Sequence, residues 1–280
     1  MKKIFVLSFL LSCFVISVQA QEIHLFSNKA PAKNEVLDST IMECTYDYSY
    51  RQDTTKKEVY KTDRMVLRIG RKFSSFYSYN KAIIDSIVAS GNADAIMSDI
   101  SKYKFGVSYR IFKDKAEDKI IYTDALGPAN YKYEEPVPKF GWEIKSDTLR
   151  ILGYICHMAT CDFRGRKYTV WYCPSIPLPE GPWKFCGLPG LIFKVSDNNG
   201  DYIFSISGIK KVCKPITSEK KQYIKTTLAK YLKTYRRYNE NPIAFMRASG
   251  VKIIVKNMDG TQYEAKVRKM KYDFIEKEIK

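Results

Sequence analysis

The sequence predicts an α+β protein dominated by an antiparallel, curved β-sheet and carrying two amphipathic helices. Apolar and polar residues alternate over many short segments, which is the pattern of half-buried strands. Hydrophobic residues make up 45% of the chain and aromatic residues 14%, with 21 tyrosines, which favours a folded, strand-rich protein over disorder. The segments are joined by tight turns, and only antiparallel strands can be joined so closely.

The first strands are predicted between residues 41 and 79. Ile41 to Tyr48 alternates as a strand does, and Met65 to Ile69 and Phe73 to Tyr79 flank a Gly70-Arg71 turn that predicts a hairpin. Further strands are predicted at Val107 to Phe112, Lys119 to Thr123, Tyr131 to Glu134 and Trp142 to Ile144.

The densest strand signal lies in the middle of the chain. It runs from Leu149 to Phe163, turns at residues 164–167 and returns from Tyr168 to Tyr172. Ile192 to Val195 and Tyr202 to Ile206 are predicted to pair around residues 198–201, where Asn-Gly is a strong hairpin signal.

Two segments show helical spacing instead. Lys81 to Tyr103 has the spacing of an amphipathic helix, and Gly91 is expected to break it in two. Thr217 to Tyr238 is predicted as a helix capped by Thr217 or Ser218, with one apolar and one basic face. Such a helix either docks on a sheet or lies on anionic lipid, and docking is the expected outcome. A last hairpin is predicted over residues 251–267.

The N-terminus predicts export. Lys2 and Lys3 precede an apolar stretch and a small residue, Ala20, so residues 1–20 are expected to be a signal peptide, and residues 21–280 one mainly-β domain. A lipoprotein signal ending at Cys13 is less favoured, because the apolar run continues past that residue. No later segment is long and apolar enough for a membrane helix. The expected location is the periplasm or the outer membrane.

Charge and cysteine content restrict the partners and the redox state. The formal net charge is +17, so candidate partners are an anionic envelope surface or another envelope protein, and a nucleic acid is not expected. A basic secreted protein can also use this charge for solubility alone. Six cysteines lie beyond the leader, and an even number in an oxidising compartment predicts at least one disulfide, with the pairing left open.

No local motif predicts catalysis or a cofactor. Cys156, His157, Cys161 and Cys173 fall near one predicted hairpin, but their spacing and alternate faces disfavour a metal site. Ser78 and Lys81 match a Ser-x-x-Lys pattern without its companion motifs, so no catalytic residue is predicted.

A loop rich in proline and glycine lies between Cys173 and Gly190. Its aromatic neighbours either wall a groove for an apolar or glycan ligand or seal the edge of the sheet. The groove candidates are Trp171, Tyr172, Trp183 and Phe185. Pro189-Gly190 predicts a type II turn, with positive φ at Gly190.

Six consecutive residues of this loop and the strand that follows carry a family resemblance. Gly187, Leu188, Pro189, Gly190, Leu191 and Ile192 spell the hexapeptide after which the GLPGLI family is named. Other words of that family stand around it, including Gly153 to Cys156 and Gly181 to Phe185, so the family-like core is expected at about residues 40–215. The resemblance implies an exported Bacteroidota protein and supplies no activity. A non-catalytic binding or accessory protein is therefore expected, and the alternative is an envelope hydrolase whose site is assembled from distant residues.

Overall fold

The computed structural model describes residues 34–251, except 52, 54 and 57, together with residues 274–277. The predicted signal peptide, Cys13 and all but the first residue of the predicted last hairpin lie outside these residues. Within them, the chain forms one thirteen-stranded sheet and several short helices.

Thirteen strands follow in chain order, and each predicted strand up to residue 206 overlaps one or two of them, although several observed strands are longer than predicted. They are β1 (Asn34–Tyr50), β2 (Lys61–Gly70), β3 (Phe73–Ser78), β4 (Arg110–Asp114), β5 (Lys119–Leu126), β6 (Ala129–Pro136), β7 (Glu143–Ile151), β8 (Tyr154–Phe163), β9 (Arg166–Cys173), β10 (Leu191–Asp197), β11 (Tyr202–Lys210), β12 (Pro215–Glu219) and β13 (Ile224–Lys225).

The sheet runs in the order β13-β6-β5-β4-β3-β2-β1-β11-β10-β9-β8-β7, and β12 pairs with the N-terminal part of β1. Chain neighbours therefore pair as hairpins over most of its width, and β1 joins the two halves. The described pairs are antiparallel, apart from β13, which pairs with β6 in parallel and makes the sheet mixed.

The helices are short. They are α1 (Tyr79–Ala89), α2 (Ala93–Ser98), a 3-10 turn (Ile100–Lys102), α3 (Leu228–Glu240) and α4 (Pro242–Ala248). Ser78 caps α1, because its hydroxyl accepts a hydrogen bond from the Lys81 backbone N–H at 3.0 Å. The predicted break at Gly91 lies between α1 and α2, where this glycine has a φ of +80°.

The predicted α+β class with two amphipathic helices is wrong, because the protein is β-rich and its helices are minor. Residues 217–225, expected to open the second helix, lie largely in β12 and β13. Ile216 is buried against β1, where the strand edge supplies backbone partners that a helical propensity does not reveal. The helix starts at Leu228, because Thr227 caps it.

Candidate functional site

The loop between β9 and β10 packs against the sheet and carries the predicted aromatic groove residues. Trp183 and Phe185 are fully buried, with ring centres 5.2 Å apart, and Phe185 also packs on Tyr168 at 4.9 Å. Tyr172 is buried on β9, whereas its neighbour Trp171 is half-buried. The structure thus brings Trp183 and Phe185 together in the core, and a groove role for the four residues stays a prediction.

The hexapeptide from Gly187 to Ile192 is tightly packed. Leu188, Leu191 and Ile192 are buried, and Gly190 has a φ of +157°. A Cβ atom at Gly190 would stand 2.2 Å from the carbonyl oxygen of Cys173, so only glycine lets β9 and the loop approach this closely.

Two buried lysines fasten the loop to the rest of the molecule. The Lys113 ammonium contacts the Glu180 carboxylate at 3.2 Å and donates to the Phe185 carbonyl at 2.8 Å. Burial opposes ionisation of Glu180, but Lys113 and Lys115 lower the pKa of this carboxyl below its usual range. The paired charges therefore fix the loop to β4.

Lys184 is completely buried and is the second of these lysines. Its ammonium lies 2.6 Å from Glu135 and 2.7 Å from Glu276, and it donates to the Tyr133 hydroxyl at 3.1 Å. Arg164 contacts both carboxylates as well. Burial lowers the pKa of Lys184 to about 7, against the attraction of Glu135. This cluster joins the loop to β6 and to residues 274–277.

The cysteines are free thiols in the part of the chain that the structure describes, so the expected disulfide is not present there. Cys156 and Cys173 are nevertheless neighbours across β8 and β9 and interact through their side chains. Burial raises the pKa of Cys156 to about 12, and Cys173 adds to this rise. No group of described side chains forms a metal site.

A polar cleft lies on another part of the sheet, at the ends of β3, β4 and β5. It encloses about 70 Å³, room for a few water molecules or one small polar group. Its walls are completed by α1 and by residues 219–223. Its charged and polar lining includes Lys81, Asp85, Arg110, Thr123, Asp124, Asn130, Glu219, Lys221 and Tyr223.

Arg110 differs from the other cations of this cleft. Lys81 pairs with Asp85, and Lys221 pairs with Glu219. The half-buried Arg110 guanidinium has no carboxylate partner among the described residues. It stacks instead on the Tyr77 ring, 4.5 Å from the ring centre, and makes a long hydrogen bond of 3.4 Å to the Thr217 carbonyl. This leaves a positioned, aromatic-backed cation at the cleft.

Asp124 is the buried acid of the cleft. It accepts hydrogen bonds from the hydroxyls of Ser108 and Tyr231, both at 2.5 Å, and from the Ala125 backbone N–H at 2.8 Å. Burial raises the pKa of Asp124 to about 6, although these hydrogen bonds act in the opposite direction. It therefore carries a negative charge at neutral pH and loses that charge in mild acid.

The sequence did not identify this cleft. Its residues come from segments more than 100 positions apart, and they are ordinary polar and charged residues of strands, turns and α1. The Ser78-Lys81 pattern does lie beside it, but the Ser78 hydroxyl caps α1 and donates to Asp63 at 3.1 Å. Arg110 opens a strand whose next four residues are buried, and this pattern does not distinguish a binding cation from a charged residue at a strand end.

The comparisons with known proteins support the fold and a short family segment. A model of the Porph_ging family, described as a protein of unknown function, matches residues 163–194, from the end of β8 to β10. The GLPGLI name itself stays a prediction. No curated protein matches the chain.

Solved structures of PNGF-II are similar to this chain in fold. The structure in space group P21 has a TM-score of 0.51 at 15% identity and covers 72% of this chain and 34% of that chain. The structure in space group C2 has a TM-score of 0.50 at 16% identity, with coverages of 70% and 32%. This chain therefore spans about a third of the length of PNGF-II, and the likeness concerns the fold alone.

Proposed function

We propose that this chain is a non-catalytic binding protein of the bacterial cell envelope, and that its ligand presents an anionic, hydroxyl-bearing head group to Arg110. The observation that carries the proposal is the guanidinium of Arg110, which stands at a cleft without a carboxylate partner among the described residues. A guanidinium binds carboxylate or phosphate through two parallel hydrogen bonds.

The other cleft residues fit the neutral part of such a ligand. Thr123, Asn130 and Tyr223 add a hydroxyl, an amide and a phenol to the lining. These groups exchange hydrogen bonds with sugar hydroxyls and carry no charge. The volume of about 70 Å³ admits one anionic group and not a whole sugar ring. The ligand class that fits best is therefore a terminal acidic sugar whose carboxylate enters the cleft while its ring stays at the opening.

The charge of the whole chain favours an acidic ligand too. A net charge of +17 creates a positive potential that raises the local concentration of anions and speeds their association. A protein exported by the predicted leader meets acidic glycans and phosphorylated lipids. These are ligands of the anionic class that we propose for the cleft.

Binding should be measured by isothermal calorimetry with glucuronate, glucose and inorganic phosphate. We expect glucuronate to bind and glucose to bind at least about tenfold more weakly, because a charge-assisted hydrogen bond contributes about 1.5–3 kcal/mol. Binding of phosphate in place of glucuronate would identify the anionic group as a phosphate.

Variants locate the binding at the cleft. Arg110→Gln should lose the glucuronate signal, Arg110→Lys should retain part of it, and Arg71→Gln, at an exposed turn, should bind as the wild type does. Equal binding by Arg110→Gln and wild type would contradict the proposal.

A hydrolase is the second candidate, and Asp124 is the observation in its favour. A carboxyl group with a pKa raised to about 6 can exchange protons near neutral pH. Its three hydrogen bonds hold it in place, however, and favour a supporting role. Release of nitrophenol from nitrophenyl glucuronide by the wild type, lost in Asp124→Asn, would establish the enzyme instead.

A further inference from the structure

Exposed apolar side chains are concentrated on the β7–β8 hairpin. Among the described residues, twelve large hydrophobic side chains are notably exposed, and five of them lie on this hairpin. They are Ile144, Leu149, Leu152, Tyr154 and Ile155. Four of these five lie within seven residues at the end of the hairpin, so we call residues 149–155 the hairpin tip.

Leu152 is unfavourable in two ways where it stands. It occupies the first position of a two-residue turn with a φ of +49°, which suits glycine or asparagine and strains leucine. It is also 50% exposed to solvent. Neither property stabilises the isolated protein, and backbone strain of this kind accumulates at functional positions. An apolar environment around the tip would account for leucine at this position.

The charges around the tip restrict what that environment is. Arg150 is the sole charged residue from Thr148 to Cys156, and its guanidinium donates to the Gly153 carbonyl at 3.0 Å, which braces the turn. The tip is thus apolar with one basic residue, on a chain of net charge +17. Apolar and aromatic side chains beside basic ones are typical of segments that enter the interface of an anionic membrane.

Pairing with another strand is disfavoured at the same hairpin. β7 is the edge strand of the sheet, but its register against β8 shifts between Ile144 and Thr148. Glu143, Lys145 and Asp147 place charges along this part of the edge. A bulge and charged side chains both protect an edge strand from pairing with another chain.

We propose that the hairpin tip inserts into the interfacial region of an anionic lipid bilayer and holds the protein at the membrane surface. Leu152 enters deepest, Tyr154 and Ile155 follow it, and Arg150 meets the lipid phosphates. The sheet and the polar cleft stay in water. The association that we infer is peripheral, because the tip alone enters the bilayer. No described helix is long and apolar enough to cross a bilayer. The inference is independent of the ligand proposed for Arg110.

The test is sedimentation of the mature protein with vesicles. Vesicles of phosphatidylcholine and phosphatidylglycerol in equal amounts should carry the wild type down, and vesicles of phosphatidylcholine alone should carry less. Leu152→Asn should weaken this partition about tenfold or more, because a leucine is withdrawn from an apolar phase. Val59→Asn is the matched control, since Val59 is 57% exposed elsewhere on the surface, and it should sediment as the wild type does.

Thermal melting adds a result that a purely structural role does not produce. Asparagine tolerates positive φ, so Leu152→Asn should melt at the same temperature as the wild type or a higher one. The same variant should no longer bind the anionic vesicles. Leu152→Gly is the second variant, and it should show the same loss of vesicle binding without a lower melting temperature.

Three results would overturn the proposal: no sedimentation of the wild type, equal sedimentation of both Leu152 variants and the wild type, or a wild-type dimer in solution that Leu152→Asn converts to monomer. The last result would show that the hairpin tip binds a second copy of this chain and not a membrane.

Discussion

Gly190→Ala should destabilise the protein strongly, because the site leaves no room for a Cβ atom. Such an atom would stand 2.2 Å from the Cys173 carbonyl oxygen and 2.9 Å from the Pro174 Cα. Both neighbours are backbone atoms. Cys173 pairs with Leu191 where β9 and β10 meet, so neither atom can move without opening this part of the sheet.

The expected loss in unfolding free energy is about 3 kcal/mol. Overpacking of a well-packed site costs about 1–3 kcal/mol, and a backbone conformation that alanine disfavours adds about 1 kcal/mol or more. For a chain of this size, each kcal/mol lowers the melting temperature by about 2–4 °C. The melting temperature should therefore fall by roughly 6–12 °C.

Gly153→Ala is the matched control. Gly153 also has a positive φ, +83°, but nothing lies within 4 Å of the Cβ position. Both substitutions restrict the unfolded chain equally, so that contribution cancels between them. The control should lose only about 1 kcal/mol, or roughly 2–4 °C.

Calorimetric or circular-dichroism melts of the two variants and the wild type provide the comparison. Equal shifts for both variants would show that the backbone contact at Gly190 is relaxed at little cost, and would refute the argument from close approach.

Three further predictions concern buried groups. In Lys184→Met, the buried carboxylates of Glu135 and Glu276 keep Arg164 as their cationic partner and lose Lys184. Unfolding by denaturant should therefore show a free energy of unfolding lower by about 3–5 kcal/mol. Because the pKa of Asp124 is about 6, acidification through that value removes a negative charge at the cleft. Calorimetry should show tighter glucuronate binding in mild acid, and no pH dependence in Asp124→Asn. Mild oxidation should join Cys156 and Cys173 in a disulfide, so thiol titration in denaturant should find two fewer free thiols in the oxidised wild type than in the reduced wild type. Cys173→Ser has one thiol fewer from the start and should lose none on oxidation.

The alternating pattern predicted most strands because burial on one face of a sheet imposes a period of two. It was least successful between Leu149 and Phe163, where a continuous strand signal hides the turn at Leu152 and Gly153. Leucine is not a turn residue, and the local pattern therefore concealed the hairpin. The predicted positive φ at Gly190 is confirmed, although its value of +157° is more extended than a type II turn requires.

Local sequence could not place the start of the second helix. Residues 217–225 carry apolar and basic residues at helical spacing, but β12 and β13 take up this segment because β1 and β6 offer open strand edges. Backbone hydrogen bonding to a distant strand outweighs a weak helical preference, and this competition is decided by tertiary structure.

The sequence by itself determined the strand-rich character, most of the hairpins and the positive φ at Gly190, because these follow from local periodicity and backbone sterics. The close approach of the Cys173 carbonyl, which leaves no room for a Cβ atom at Gly190, came from the tertiary structure. Tertiary structure alone decided the charge clusters and the cleft. Lys184 meets Glu135 and Glu276, and Arg110 meets Tyr77, only after the strands have aligned. Such contacts depend on sheet register and on burial, which change the pKa and the pairing of a charged side chain. The neighbouring residues in the sequence do not reveal these changes.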